Sequence, residues 1–100
     1  MFGERRVDLQ VTKRAKTVLD RWANASKLHS PILGIQWSLV KGHKYHKWGV
    51  GFYERHDVSE GWLGIAPEFE FIVIQEWILD KVDKKILDID EQERIIFLDN

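Results

Sequence analysis

The chain has 100 residues and a formal net charge of −1, with 44% hydrophobic and 31% charged residues, the balance of one small globular domain rather than of a disordered segment. It has no cysteine, which excludes a disulfide framework, a zinc ribbon, a thiolate-held cluster and a cysteine nucleophile. The charged start Met1–Arg6 is not followed by an apolar run, and no stretch nears 18 uninterrupted apolar residues, so the sequence points to a cytoplasmic protein without a leader or membrane span.

Val7–Val11 alternates apolar and polar residues and predicts a first strand. Thr12 suits a helix N-cap, because its side chain can accept from a free backbone N–H of the first turn. Beyond it Ala15, Val18, Leu19, Trp22 and Ala23 recur at helical spacing opposite Lys13, Arg14, Lys16, Asp20 and Arg21, which predicts an amphipathic helix of about three turns. Asn24, Ser26 and Ser30-Pro31 close it.

Ile32–Val40 predicts a strand with Ile35, Trp37 and Leu39 on one face and Gln36 and Ser38 on the other. After the basic loop Lys41–Lys47, Trp48–Glu54 predicts the return strand, with Trp48, Val50 and Phe52 on one face and Gly49 and Gly51 on the other. A strand interior gives glycine nothing to pack, so these two mark a place of close approach. Arg55–Gly61 reads as a loop and Trp62–Ala66 as a short strand before Pro67. Phe69–Ile74 is nearly all apolar, as expected of a strand buried on both faces. Gln75–Val82 suits a two-turn helix, and Ile86–Asp90 with Arg94–Leu98 a closing hairpin. The fold class is therefore α+β over a single domain, residues 1–100, built as a small mixed sheet or two-layer sandwich with an N-terminal and a short late helix.

Several of these pieces resemble the HesB-like family of A-type iron–sulfur carriers. Val11-Thr12-Lys13-Arg14-Ala15 looks like the start of that domain, Gly34–Glu54 like its central hairpin, and Phe69–Ile74 with the following helix like its late strand and helix. Lys85–Asp90 followed by Ile96-Phe97-Leu98-Asp99-Asn100 looks like its last hairpin. The resemblance implies a compact β-rich fold, often oligomeric, that carries iron or a cluster on three cysteines. None of the three carries over: alignment through Phe52 puts His43 near the first, and the closing Cys-Gly-Cys would fall beyond Asn100. Soft sulfur donors hold such clusters, so one is not expected on this chain alone, whereas iron, zinc or copper on imidazoles stays open.

The segment Lys41-Gly42-His43-Lys44-Tyr45-His46-Lys47-Trp48 concentrates candidate chemistry. His43 and His46 supply two imidazole ligands, with His29, His56 or Glu54 as a third, although the adjacent lysines oppose a cation. Lys41, Lys44 and Lys47 with Tyr45 or Trp48 offer a phosphate or nucleic-acid contact, but three lysines on an acidic chain make a small patch, and nucleic acid is not the expected partner. The simplest reading is a solvated loop whose lysines keep the hairpin end unpaired. Trp22, Trp37 and Trp48 read as core, and Trp62 as the best candidate for an exposed aromatic. Trp62 or Trp77 would mark a protein partner or self-association surface.

His56-Asp57 is a poor acid–base pair, since neighbours on an extended chain point apart. The C-terminal acids lack the glycine and closing glutamate of a calcium loop. No phosphate-cradling or nucleophile-elbow motif is present, and the expectation is a protein that is not an enzyme. Residues 1–56 carry 11 Lys/Arg against 4 Asp/Glu, and residues 57–100 carry 4 against 12. Either the halves interleave and the charges mix, or the asymmetry steers partners or copies head to tail.

Overall fold

A computed structural model describes residues 2–100. Its order is β1 (Phe2–Arg6), β2 (Gln10–Val11), α1 (Lys13–Ala25), β3 (Pro31–Leu39), β4 (His46–Glu54), β5 (Gly61–Ile65), β6 (Glu70–Val73), α2 (Trp77–Val82), β7 (Lys85–Ile89) and β8 (Ile95–Asp99). Five strands form one sheet in the order β1-β5-β6-β3-β4, and three form a second in the order β2-β7-β8. The fold is mixed α+β, as the hydrophobic periods predicted. The predicted first strand is divided: only Gln10–Val11 pairs, while Phe2–Arg6, which carries no alternation signal, lies parallel to β5.

The segment between β1 and β2 joins the two sheets. Val7 N–H donates to the Ile65 carbonyl at 3.0 Å, Asp8 N–H donates to Asp83 Oδ1 at 2.8 Å, and Lys84 N–H returns to the Asp8 carbonyl at 2.8 Å. Val7 and Leu9 are buried between them. Within the five-stranded sheet, Leu33, Ile35, Phe71 and Val73 face the helices and the smaller sheet, and meet Ala15, Leu19, Ile78, Leu79, Leu87 and Ile89 there. Burying these side chains away from water is the main favourable contribution to this arrangement. Trp48 packs on Phe97 with ring centroids 4.4 Å apart, which ties β4 to β8.

Glycines admit two of the rings that seal the large sheet. A Cβ at Gly3 would lie 2.3 Å from the Trp62 ring, and one at Gly64 would lie 2.3 Å from the Phe71 ring. Trp62 is accordingly half-buried, not the exposed aromatic expected from its flanking Glu60-Gly61: the parallel register sets Gly3 beside it, and the indole fills the space a side chain would occupy. The helix stripe holds as expected, with Ala15 and Leu19 buried and Val18, Trp22 and Ala23 half-buried. Phe71, Ile72 and Val73 are buried on both faces, but Ile74 is 76% exposed because β6 ends before it.

Thr12 sets the start of α1. Its hydroxyl accepts from Ala15 N–H at 3.1 Å and donates to Asp88 Oδ1 at 2.6 Å. That bond, the Ile89 N–H and nearby Arg14 hold the Asp88 carboxyl below the usual carboxylate range, against a smaller opposing effect of burial. Such a carboxylate stabilises the fold above its unfolded pKa, and the contribution is lost as pH falls through the folded value.

Thr12→Ala should lower stability at neutral pH by about 1–2 kcal/mol. It should also narrow the stability difference between neutral and acid pH, read by urea melts in both. Gly64→Ala, which drives a methyl into the Phe71 ring, should cost about 1–3 kcal/mol in the same melts.

Candidate functional site

The β3–β4 hairpin is the longest ladder in the molecule, paired without a break from Pro31–Glu54 out to Leu39–His46. Its tip, residues 40–45, is closed by Val40 N–H to the Tyr45 carbonyl and His43 N–H to the Val40 carbonyl, both 2.9 Å. Gly42 takes φ +82, a left-handed conformation that glycine adopts without a steric cost. Lys41, His43, Lys44, Tyr45, His46 and Lys47 are all exposed, so the structure gathers on one projection the residues singled out in the sequence.

The two histidines take different neighbours. The His43 ring lies 5.2 Å from Tyr45, whereas the His46 ring stacks on Trp37 at 5.7 Å with 7° between planes. Trp37, expected in the core, is half-buried instead, because it shares the end of the ladder with the tip and no element covers it fully. It lies 4.8 Å from Trp48, and Lys81 Nζ of α2 stands 4.5 Å above its ring centroid. A positive charge over an indole face is drawn by the ring quadrupole, so this lysine links α2 to the hairpin end. Trp77, one helical turn earlier, is 45% exposed and donates its indole N–H to Gln75 Oε1 at 2.8 Å.

The suggested third metal ligands lie at the opposite end of the hairpin. Glu54 ends β4 and accepts from Ser30 N–H at 2.9 Å, His29 precedes β3, and His56 follows Glu54 in a single 3-10 turn. Among the described residues no three His, Asp or Glu side chains converge. With no sulfur donor and two imidazoles turned to separate partners, the tip does not fit an iron–sulfur cluster.

Ion pairs join the two halves of the chain. Arg5, Arg14, Arg21 and Arg55 of the basic half pair with Asp80, Asp88, Glu93 and Glu70 of the acidic half, the mixing expected where the two halves interleave. Lys41, Lys44 and Lys47 join no ion pair among the described residues.

A second feature, absent from the sequence reading, lies on the sheet face turned away from the helices. β5 runs parallel to β4 but two strands removed, so residues 55–60 must carry the chain back along the sheet. They do so as a strap over this outer face and border a groove of about 310 Å³. Gly34, Gly51, Ile72, Ile74 and Tyr53 line it, with Asp57 and Glu60 on the strap side. A Cβ at Gly51 would meet nothing within 4 Å, and the Tyr53 ring lies over Gly34. Of the two β4 glycines expected to mark close approach, only Gly49 meets a neighbour, the Gln36 side chain at 3.3 Å, whereas Gly51 opens onto the groove; the strap was not visible in the sequence, because 55–60 carries no hydrophobic period.

No protein-family model, curated protein or solved structure matches the chain.

Lys81→Ala should change the tryptophan emission, as the cation leaves the Trp37 and Trp48 faces, and should lower stability by about 0.5–1 kcal/mol. Both are readable in one fluorescence-monitored melt.

Proposed function

We propose that the chain is a non-catalytic binding module, a cysteine-free relative of the HesB-like carriers that acts by docking a partner through the hairpin tip. The observation that carries this reading is the set of three lysines without an ion pair among the described residues, Lys41, Lys44 and Lys47, gathered with exposed Tyr45 at the end of the long β3–β4 ladder. Support for the relationship comes from the Thr12-led helix, the long central hairpin, the apolar strand before α2 and the closing hairpin, in that order along the chain.

The partner surface this tip suits is acidic and carries an apolar spot. Lysines at a rim steer association and make it salt-dependent, while an aromatic anchor supplies contact area that desolvates on docking. The same tip offers single-stranded nucleic acid a second mode of contact, favoured by the flat His46–Trp37 stack beside the lysines. A metal held by His43 and His46 would need its remaining ligands from solvent or from another molecule.

One titration separates these readings. Poly-glutamate and a single-stranded oligothymidylate are each added to the protein at low and high salt, with tryptophan emission as the signal. The expected result is salt-sensitive binding of poly-glutamate that weakens on the order of tenfold in a Lys41→Ala/Lys44→Ala/Lys47→Ala variant. Oligothymidylate binding alone would replace the acidic partner with nucleic acid, and binding unaffected by the triple substitution would remove the tip from the account. Stoichiometric metal in the purified protein that disappears in His43→Ala/His46→Ala would favour the metal reading instead.

A further inference from the structure

Resting on the tip as a docking element, we infer that its partner is a second copy of this chain, whose strap-bordered groove receives the tip. Two features of one surface are complementary. The tip is basic with an exposed aromatic side chain, and the groove is apolar with carboxylates on its border and no basic residue in its lining.

The tip cannot reach the groove of its own chain. Gly34 and Gln36 of β3 face Gly51 and Gly49 of β4 at the groove, and the ladder continues unbroken to Leu39–His46, so it holds the tip away from that site. A separate molecule has no such restraint.

The groove presents what Tyr45 and its flanking lysines require. Ile74 is 76% exposed and Tyr53 is 51% exposed, an apolar edge left open among the described residues. The opening above Gly51 gives an incoming ring direct access to the sheet backbone. Asp57 and Glu60 form no ion pair among the described residues, and both are exposed. In the docked arrangement Tyr45 lies against Tyr53 and Ile74, while Lys41 and Lys44 meet Asp57 and Glu60. Each copy carries both a tip and a groove, so a two-fold axis allows the contact to be made twice, and the assembly closes at two copies. Opposite charges across the contact also set the register and reject a tip-to-tip encounter.

The test is sedimentation velocity on the full chain over a range of concentrations, at low and high salt, with circular dichroism to confirm folding. The wild type should form a dimer that weakens at high salt. Lys41→Glu/Lys44→Glu and Asp57→Lys/Glu60→Lys should each sediment as monomers, because each sets like charges against each other. An equimolar mixture of the two variants should recover the dimer, since each then offers the other a complementary tip and groove. Tyr45→Ala, which leaves all charges in place, should raise the dissociation constant by roughly tenfold or more. A wild type that is monomeric throughout, a dimer indifferent to both reversals, or a mixture that stays monomeric would overturn the inference. If the wild type is monomeric yet its tip lysines still govern poly-glutamate binding, only the identity of the partner is wrong. If they do not govern it either, the tip is not a docking element.

Discussion

Thr12 is where strand, helix and second sheet are fixed to one another. Its backbone N–H donates to the Leu87 carbonyl at 3.0 Å and its carbonyl accepts from Lys16 N–H at 2.9 Å, so the residue ends β2 and begins α1. Its hydroxyl has one proton to give and lone pairs to accept with; the proton goes to Asp88 and a lone pair to Ala15 N–H. Asp88 in turn accepts from Ile89 N–H at 2.8 Å and lies 3.5 Å from Arg14. A helix begun at another residue would turn its apolar stripe off the large sheet, because each residue rotates the stripe by about 100°. The Thr12 hydrogen bonds thus fix where the helix begins, and burial of Ala15 and Leu19 in the core they share with Leu33 and Phe71 holds its stripe in place.

With the helix seated, the charge pattern resolves into two populations. Arg5, Arg14, Arg21 and Arg55 reach across from the first half of the chain to acids of the second, on surfaces where such pairs contribute little stability but do neutralise one another. What remains unneutralised among the described residues includes the three tip lysines on the basic side, beside Arg6, Lys13, Lys16 and Lys27 elsewhere, and the strap on the acidic side. The proposed docking uses this remainder and leaves the ion pairs of each fold intact.

Much of this was legible in the residues. The helix was readable because its apolar stripe and its cap agree, and the two hairpins because their faces alternate. Phe2–Arg6 was not, because Gly3 and the charged Glu4, Arg5 and Arg6 give no alternation; the strand exists through its parallel partner β5, a long-range pairing that no local pattern encodes. Trp62 and Trp37 were misplaced for related reasons. The first is covered thanks to a glycine on a distant strand, and the second sits at the end of a ladder whose length sequence alone does not fix. The tip was legible as a cluster of residue types, whereas the groove needed the path of the strap.

The parallel pairings of β1 and β2 set the order in which the fold can assemble. Phe2 pairs beside Gly61, and Gln10 beside Ile86, so each of these strands must find a partner far along the chain before it contributes. The hairpin of β3 and β4, with partners adjacent in sequence, can form much earlier. The tip can thus be complete while the sheet edge that β1 will occupy does not yet exist, and the fold closes only when β1 and β2 find their distant partners.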